Sequence, residues 1–453
     1  GKKGLFAKKG SKEPRPKKEK KPRAPRVKKA AKPRQPKEKK GSKSSKPPKA
    51  PRRQKSKSGG MGGTKQSPVG LDLGGSTITA VRLRYQTGGS QLLQAAIDSL
   101  PEGLINEGEV RDVEALTFAI KEFWKTHNIK SKKVALGLAN QKVVVRTLEF
   151  PLLDEKELRS AIEFQAQDYI PIPVEDAVFD FHVLGQFTDE EGIEKQKVLV
   201  VAAQKNMVMD FVNAVKNARL TIAGIDLQAF ALLRGLATTS FLDEGTAERA
   251  TAFANIASDL TNLVVDVGGK PQFTRIVSFG GDDFTKAVQE IHGITFREAE
   301  ILKERVGLPE PGQRAEDVTA AMEPPAAPAG GGEEKVWSEE PPAEAETEAE
   351  NLANIQRVLE TTADGLADEI RRSLDYYMSQ EQSVPVDQLV ISGGGALLRN
   401  LDVHLAQIFL FKVEVGNPML HIAENKSDLT DVELQALAAR LTISIGLALE
   451  DEE

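Results

Sequence analysis

Apolar and polar residues recur along this chain with two periods, one typical of strands and one typical of helices. Residues 67–84 have the pattern of a strand and hairpin, residues 112–127 have helical spacing, and residues 133–138 return to a strand. A further strand is predicted over residues 144–151. Strands that alternate with helices in this way favour an α/β fold.

The same alternation continues through the middle of the chain. Asp154 is a suitable helix N-cap and is followed by acidic residues, so a helix is predicted from there to a point before Pro171. The other predicted elements are an apolar strand over 197–203, a helix over 206–218, a strand over 222–226 and a restart at Ala252. With 453 residues and 40% apolar content, the chain is long enough for two substantial cores.

Two glycine-rich stretches lie at the ends of predicted strands. They are Gly70–Thr77, with the sequence GLDLGGST, and Ile391–Ala396, with the sequence ISGGGA. Glycine backbone can approach a phosphate or a nucleoside without a side-chain clash, although either stretch alone is more often a plain turn. Asp72 changes this balance because a carboxylate inside a buried strand needs a partner, and hydrated Mg²⁺ is a natural one. The pair predicts a nucleotide cleft between two domains.

Charge is distributed unevenly along the chain. Residues 1–60 contain 26 Lys and Arg and three Glu, a net charge of +23, so the rest of the chain carries −28. We expect residues 1–66 to form a disordered basic tail and the acidic, proline-rich residues 309–351 to form a long surface loop. The two segments are opposite in sign, so loose association and independent solvation are both open.

Composition excludes several classes of protein. Cys is absent, which excludes disulfides and thiolate chemistry, and the five His show no metal-ligand spacing. No apolar run approaches the length of a membrane helix, and the basic N-terminal region lacks an apolar signal core. We therefore expect a protein that is neither membrane-spanning nor secreted.

Several motifs together resemble one family. GLDLGGST resembles the first phosphate motif of the actin, Hsp70 and hexokinase superfamily, and residues 389–396, LVISGGGA, resemble its adenosine motif. Three further stretches are similar to PilM, the actin-like ATPases of type IV pilus assembly: residues 164–173, 226–234 and 369–377. The resemblance covers residues from about 67 to the end, apart from the acidic segment.

The resemblance implies an actin-like, ribonuclease H-like fold whose two domains face each other across ATP and Mg²⁺. Domain 1 would span residues 67–235 and include an FtsA-like or PilM-like 1C subdomain at about 142–194. Domain 2 would span residues 236–449, and its last helix, at about 434–449, would return to domain 1. In this family, the cleft between subdomains 1A and 1C holds the cytoplasmic N-terminal peptide of the inner-membrane protein PilN.

The resemblance also assigns roles to particular residues. Asp72 would bind Mg²⁺ through water. Backbone and hydroxyl groups of the first loop would surround the phosphates, and these belong to Gly74, Gly75, Ser76 and Thr77. The adenosine loop would pass close to the ribose and α-phosphate, and it consists of Gly393, Gly394 and Gly395. Two residues match positions that contact ribose and adenine: Glu300 and Lys303. Without the family resemblance, Ser76 and Thr77 would be ordinary turn residues whose hydroxyls satisfy local backbone. Glu300 and Lys303 would be a solvated charge pair on a helix.

The second phosphate loop departs from the family pattern. Where the family has Asp-Ile-Gly or Asp-Leu-Gly, this chain has Asn255 and Ala257 in place of Asp and Gly. Losing the carboxylate removes a charge that helps to hold Mg²⁺ and to orient water, so we expect ATP hydrolysis to be slow or absent. We expect nucleotide binding to be less affected, because Asn255 still offers a side-chain oxygen as an acceptor. The neighbouring residues of the site are also present, namely Ser258, Thr261, Gly280 and Gly281.

The favoured interpretation is a cytoplasmic actin-like ATP-binding protein of a type IV pilus assembly platform, peripheral at the inner face of the plasma membrane. An FtsA-like polymerising division protein would share the fold but is expected to end in a basic amphipathic helix, whereas this chain ends in LEDEE. A small-molecule kinase would need a carboxylate aimed at a substrate hydroxyl, and no such carboxylate lies in a recognisable motif of this sequence. A further alternative is a nucleotide-independent or pseudo-ATPase scaffold.

Two regions are expected to meet partners. Apolar residues of the 1C subdomain could receive an extended PilN-like peptide or fill the core, and they are Val143 to Val145, Phe164, Tyr169, Ile170, Ile172 and Val178. The basic tail would attract an anionic membrane surface. It lacks the aromatic residues and structure that sequence-specific nucleic-acid recognition needs. Formation of a homo-oligomer is left open.

Overall fold

Strands and helices assemble into two mixed sheets with a pair of helices between them. The computed structural model describes residues 65–86, 88–237, 249–310, 343–380 and 383–449. The predictions of a disordered tail over residues 1–64 and of a loop over residues 311–342 lie outside the described residues. Among the described helices, none has the length and apolar content needed to cross a membrane.

The first sheet has six strands in the order β10-β6-β1-β2-β3-β16. They are β1 (Val69–Leu73), β2 (Thr77–Arg84), β3 (Ser90–Ser99), β6 (Lys133–Leu138), β10 (Thr221–Leu227) and β16 (Ile422–Asn425). A short ribbon, β4 (Ile105–Asn106) and β5 (Glu109–Val110), follows β3. Helices α1 (Val113–Thr126) and α3 (Lys205–Asn217) bury their apolar sides against one face of the sheet. β1 runs antiparallel to β2 and parallel to β6, so β1 and β6 end at the same edge.

The second sheet has five strands in the order β13-β12-β11-β14-β15. They are β11 (Ala250–Ile256), β12 (Thr261–Val267), β13 (Lys270–Val277), β14 (Val386–Ser392) and β15 (Lys412–Val415). Its outer face is covered by α5 (Gly281–His292), α6 (Phe296–Val306), α7 (Ala343–Met378) and α8 (Leu401–Phe409). Because β11 is parallel to β14, the loops that follow these two strands meet at one edge.

Two helices lie between the sheets, α4 (Gln228–Leu236) and α9 (Asp431–Ala448). Their apolar side chains form a core with Phe253, Val264 and Val390 of the second sheet. α9 also packs on β1 and β2 of the first sheet. It begins in a capping box, in which Thr430 and Glu433 satisfy backbone N–H groups reciprocally. α9 therefore connects the two sheets.

A smaller sheet of three strands, in the order β7-β9-β8, has its own core. Its elements are β7 (Val144–Pro151), α2 (Glu155–Tyr169), β8 (Ala177–Thr188) and β9 (Glu194–Gln204). The predicted end of this subdomain at residue 194 is wrong. β9 is the central strand, and its apolar residues Val198 and Val200 are buried in this core, so the unit extends to Gln204.

The acidic segment predicted to be unstructured over 309–351 ends earlier than expected. α7 begins at Ala343, directly after Pro341 and Pro342. Proline is tolerated beside the first turn of a helix, and the Ala and Glu residues that follow have high helix propensity. The residues from Ala343 to Asn351 therefore belong to the helix.

Candidate nucleotide-binding site

The turn after β1 lies directly against the turn between β11 and β12. A Cβ atom added to Gly75 would lie 2.6 Å from Asp259 Oδ1 and 2.8 Å from Ser258 Oγ. Glycine allows this approach because it carries no Cβ. The Gly74 N–H donates to the Thr77 carbonyl at 2.9 Å and closes the first turn. The two predicted phosphate loops are thus neighbours in space.

The predicted adenosine loop reaches the same edge from β14. Gly393 has a φ of +87°, and a Cβ atom there would lie 2.3 Å from the Ile256 carbonyl oxygen. A Cβ atom on Gly395 would lie 2.4 Å from Ile256 Cγ2. Helix α9 holds this loop, because Ser392 Oγ and the Gly393 N–H both donate to the Ala439 carbonyl at 3.0 Å. The loop therefore lies on the end of β11.

The N-terminus of α5 completes the cluster of loops. The N–H groups of Gly281 and Asp282 donate to the carbonyls of Ala257 and Ser258, each at 2.8 Å. A helix N-terminus favours an anion such as a phosphate. The predicted residues that the structure brings to this one edge are Gly74, Gly75, Ser76, Thr77, Asn255, Ser258, Gly280, Gly281, Gly393, Gly394 and Gly395.

Asp72 lies at the C-terminal end of β1, beside this cluster. Its Oδ1 accepts a hydrogen bond from Gln228 Nε2 at 2.6 Å. Burial raises the pKa of Asp72 to about 7, although the Gln228 hydrogen bond opposes the shift. A divalent cation nearby would favour the ionised form of this carboxyl group.

The donors around Asp72 suit a magnesium ion that is held mainly by phosphates and water. In the part of the chain that the structure describes, no three His, Cys, Asp or Glu side chains are grouped to hold a metal. Mg²⁺ in phosphate sites usually keeps several waters and takes only one or two carboxylates. Asp72, half-buried and with Gln228 as its side-chain donor, fits that more limited role.

Two further carboxylates face the loops. Asp259 Oδ2 accepts from the Glu107 N–H, in the β4–β5 turn, at 2.6 Å, and burial raises the pKa of Asp259. Burial also raises the pKa of Asp282 to about 6, against the opposing effect of Lys303 and Lys286. The sequence analysis assigns no role to Asp259. Its position next to Ser258 in the second phosphate loop is the sequence signal that could have identified it as a residue of this site. Phosphates here would need a cation to offset this negative charge.

The polar residues of the second phosphate loop are more occluded than predicted. Asn255 is buried opposite Asn262 in the β11–β12 ladder, and a Cβ atom on Gly393 would lie 2.9 Å from its Oδ1. Thr261 differs from the prediction, because its fully buried hydroxyl donates to the Phe279 carbonyl at 2.7 Å. It therefore anchors the segment before α5 and does not face a phosphate. Ser258 remains partly exposed.

Glu300 and Lys303 form a largely buried network behind the start of α5. Lys303 Nζ donates to the Gly281 carbonyl at 3.2 Å, to Thr285 Oγ1 at 2.9 Å and to Glu300 Oε2 at 2.7 Å. All three ammonium hydrogens thus have partners inside the protein. The Glu300 side chain is 38% exposed and remains the member of the pair that a ribose could reach.

A second candidate site is a narrow cleft between β7 and β13, with a volume of about 40 Å³. Its lining residues are Leu138, Gln141, Val143, Val145, Leu227, Ala229, Asn262, Thr274, Arg275 and Ile276. The apolar residues predicted to receive a peptide separate into three groups. Val143 and Val145 line the cleft, and Val144, Ile170 and Ile172 belong to the small core. Phe164 and Tyr169 are exposed on α2, and Val178 is exposed on β8.

Two sheets around a pair of central helices, with glycine-rich loops converging between the sheets, define an actin-like α/β protein. The chain belongs to the type IV pilus assembly protein PilM family, whose sequence pattern matches residues 70–318 and 340–452. The predicted family and fold are therefore confirmed.

The chain is similar to several solved structures, and the first of those described below shows the same fold. The "PilM-PilN type IV pilus biogenesis complex" is 24% identical with a TM-score of 0.67, over 84% of this chain and 97% of that chain. Ethanolamine utilization protein EutJ from Carboxydothermus hydrogenoformans is 14% identical with a TM-score of 0.46, over 85% and 89%. MreB5 of Spiroplasma citri bound to ADP is 12% identical with a TM-score of 0.41, over 83% and 93%.

Proposed function

We propose that this chain is a component of a type IV pilus assembly platform that acts at the cytoplasmic face of the inner membrane. It binds ATP and Mg²⁺ between its two sheets and binds the N-terminal peptide of a PilN-like inner-membrane protein. The observation that carries the nucleotide part is the convergence of glycine-bearing loops on the end of β11. Family membership supports the pilus part.

Each group in the cleft has a separate role in this proposal. Asp72 would hold Mg²⁺ through water, and the backbone amides of Gly75 and Ser76 would bind the β- and γ-phosphates, while the Gly74 amide closes the turn that presents them. The N–H groups of Gly281 and Asp282 donate to the carbonyls of Ala257 and Ser258, so the N-terminus of α5 acts on this anion site through its dipole and not through hydrogen bonds. The loop Gly393–Gly395 and the Glu300 side chain lie against the ribose and adenine. Bound Mg²⁺ supplies the positive charge that phosphates need beside the nearby carboxylates.

We expect ATP hydrolysis to be slow or absent because of the residues at the end of β11. Asn255 carries no charge to hold Mg²⁺, and its oxygen lies beneath Gly393, so it is poorly placed to orient an attacking water. The Ala257 carbonyl is also committed to the Gly281 N–H. The loop is therefore arranged to bind a nucleotide more readily than to activate water.

Titration of the full chain with fluorescent ATP, with and without Mg²⁺, tests the nucleotide site when phosphate release is measured in parallel. We expect saturable, Mg²⁺-dependent binding of ATP and little phosphate release. Asp72→Asn should weaken ATP binding at least about tenfold, because it removes one charge interaction. Asp375→Asn, on the exposed side of α7, is the matched control and should bind normally. Robust steady-state hydrolysis would contradict slow turnover. Absence of binding would favour a nucleotide-independent scaffold.

The peptide part rests on the family and on the cleft in which Leu138 and Leu227 of the first sheet lie beside Val143 and Val145 of the small subdomain. The similar solved structure is a complex of a PilM protein with PilN. Six of the ten residues that line the cleft are apolar, and its volume of about 40 Å³ suits one small apolar anchor of an extended segment.

Binding of the cytoplasmic N-terminal peptide of the cognate PilN-like protein, measured by calorimetry, tests this site. Val145→Asp places a charge in the cleft and should abolish measurable binding, because burying an unpaired carboxylate is costly. Phe164→Ser is the control, since Phe164 is 81% exposed on α2 and does not line the cleft. Equal loss in both variants would move the peptide site to the α2 face, and undiminished binding by Val145→Asp would exclude the cleft.

A further inference from the structure

Exposed basic residues gather at one edge of the first sheet, although residues 61–453 together carry a net charge of −28. β1 and β10 both run parallel to β6, so these three strands begin at the same edge. Helix α3 ends there too, because it leads directly into β10. We call the exposed basic residues of this region the basic edge, and they are Lys65, Lys130, Lys132, Lys133, Lys216 and Arg219.

Backbone contacts hold these residues near one another. The N–H of Thr221, the first residue of β10, donates to the Lys132 carbonyl at 2.7 Å, and Thr221 lies opposite Lys133 in the ladder. The Arg219 N–H donates to the Lys216 carbonyl at 2.9 Å in the turn between α3 and β10. Because neighbouring strands lie about 4.8 Å apart, the first residues of β10, β6 and β1 lie within roughly 10 Å of one another.

Acidic residues are absent from the segments that build this edge. Residues 73–97, 123–148 and 211–225 contain no Asp or Glu. The five members of the basic edge that follow Lys65 form no ion pair with another described residue. Acidic residues return at the other end of the sheet, where Glu424 of β16 pairs with Lys426. The basic edge is therefore a local region of positive charge on a negatively charged body.

Two half-buried arginines of β2 add to this charge. Arg82 Nη2 donates to Gln66 Oε1 at 2.6 Å, and Arg84 Nη1 donates to Gln91 Oε1 at 3.1 Å. Both partners are neutral amides, and the Nε atoms of the two arginines have no hydrogen-bond partner among the described residues. Burial, and after it the charge of Arg84, lowers the pKa of Arg82. An anion close to this edge would offset the repulsion between the two arginines.

The basic tail joins the fold at this same edge. The Tyr85 N–H donates to the Lys65 carbonyl at 3.0 Å, and the Ser67 N–H donates to the Leu83 carbonyl at 3.0 Å. These bonds fix the segment that follows residue 64 beside the end of β2. The charge of +23 on residues 1–60 is therefore attached directly to the basic edge.

The nucleotide loops leave the opposite edge of the first sheet. Gly74 and Gly75 follow the last residue of β1, whereas Lys65 precedes its first residue. A strand of five residues is about 16 Å long. A surface that contacts the basic edge therefore leaves the nucleotide loops facing away from it.

We propose that the basic edge is the surface by which the folded part of this chain contacts an anionic lipid membrane. Its charges are spread along an edge and are not grouped in a pocket, which suits a layer of lipid headgroups, and such a layer attracts clustered Lys and Arg. Charges more than about 10 Å from the lipid are screened at 0.1 M salt, so this edge approaches lipid despite the net charge of the body. The inference goes beyond the proposed function and uses neither the nucleotide site nor the peptide cleft.

The tail and the basic edge have different tasks in this proposal. The tail brings the fold to the membrane, and the basic edge orients the fold with its nucleotide loops toward solvent. Stable attachment to a membrane usually takes two such signals. A chain that begins at Ser67 keeps most of the basic edge but lacks the tail, and its net negative charge opposes the first approach. The basic edge is therefore tested in the full chain.

Lysine acylation of the full chain, read by mass spectrometry, tests the orientation. With liposomes that contain anionic lipid, we expect slower acylation of Lys130, Lys132 and Lys133 than with neutral liposomes. Lys270 and Lys412 are exposed on the second sheet and should react equally fast with both. Equal acylation of the three edge lysines with the two kinds of liposome would overturn the proposal.

Charge reversal tests the contribution of the edge to affinity. The combined variant Lys130→Glu, Lys132→Glu and Lys133→Glu should weaken partitioning of the full chain onto anionic liposomes at least about tenfold, because each basic residue close to such a surface contributes about fivefold. The matched control changes the net charge equally on the second sheet and its helices, with Lys270→Glu, Arg297→Glu and Lys412→Glu, and should keep its affinity. Thermal unfolding checks that both variants are folded.

Equal loss of liposome binding in the two variants would show that only net charge matters and would overturn the proposal. Double-stranded DNA is the competing polyanion. If the edge variant lost affinity for DNA but not for anionic liposomes, the partner would be a nucleic acid and the membrane surface would be excluded. Each of these outcomes leaves the proposed nucleotide and peptide sites as they stand.

Discussion

At the scale of single residues, the cleft depends on carboxyl groups that water cannot fully solvate. Asp72 is the clearest example, because its one close side-chain donor, Gln228, does not offset the cost of burial. The folded protein therefore binds a proton at Asp72 more tightly than the unfolded chain does. Its contribution to stability is most favourable below about pH 4 and is lost as the pH rises through about 7.

Asp72→Asn should for this reason stabilise the nucleotide-free protein at high pH. Without Mg²⁺, we expect its free energy of unfolding at pH 8 to exceed that of the unmodified protein by at most about 4 kcal/mol, at 1.36 kcal/mol per pKa unit. The difference should narrow as the pH is lowered to 5, where the native carboxyl group is protonated. Urea unfolding from pH 5 to pH 8 in EDTA measures this. A difference that is constant over that range would show that Asp72 does not titrate as described.

The sequence identifies some of these residues and cannot identify others. Glycine-rich turns after buried strands are local signals, so Gly75 and Gly393 could be placed in a nucleotide cleft before the structure was known. The need of Asp72 for a partner is also visible, but Gln228 lies 156 residues later and only folding brings it near. The same holds for Asp259, whose partner Glu107 is in the first half of the chain. Thr261 has the chemistry of a phosphate ligand, and its burial against Phe279 could not be read from the sequence.

At the scale of elements, the two central helices cross at unusually small residues. A Cβ atom on Gly446 of α9 would lie 1.8 Å from the Ala231 carbonyl oxygen of α4. Arg234 Nε donates to the Gly446 carbonyl at 2.9 Å across the same contact. Because α9 also holds the adenosine loop through Ala439, the crossing positions that loop.

Gly446→Ala should push the two helices apart. We expect a loss of stability of about 3 kcal/mol or more, since overpacking against rigid backbone is at the costly end of core substitutions, together with weaker nucleotide binding. Gly224→Ala in β10 is the control, because an added Cβ there meets no atom within 4 Å. Thermal unfolding and ATP titration of both variants provide the measurements. Equal stability of the two variants would contradict the close crossing.

Element boundaries could be predicted where local chemistry sets them. Asp112 accepts from the N–H groups of Glu114 and Ala115, and the helix predicted over 112–127 forms over Val113–Thr126. Asp154 likewise accepts from the Glu157 N–H at 2.8 Å. Membership of a sheet has no such local signal. The strand at 197–203 was predictable from its apolar run, but its place between β7 and β8 depends on pairing with distant residues.

At the scale of the whole molecule, the chain returns to its beginning. β16, only four residues long, joins the first sheet in parallel beside β3, and α9 then packs on β1 and β2. A strand this short has too few positions to show a period, so it could not be predicted. The resemblance to a family, more than periodicity, predicts that the last helix returns to domain 1.

The strongest concentration of positive charge in the sequence lies outside the residues that the structure describes. Residues 1–60 carry a net charge of +23, while the remainder carries −28. A polybasic segment gains about 1 kcal/mol for each basic residue close to an anionic membrane surface, and only some of these residues can be close at once. The tail has Phe6 as its single aromatic residue, so base stacking offers little competition from nucleic acid. We therefore propose that it tethers the actin-like fold electrostatically near its membrane partner.

Co-sedimentation with liposomes tests the tether. The full chain should bind liposomes that contain anionic lipid, release them as salt is raised, and ignore neutral liposomes, because exposed charges are screened over about 10 Å at 0.1 M salt. A chain that begins at Ser67 is the control and should remain in the supernatant with both. Since that shorter chain carries a net negative charge, an anionic surface should repel it. Equal partitioning of the two chains, or binding that ignores lipid charge and salt, would leave the basic residues without a membrane role.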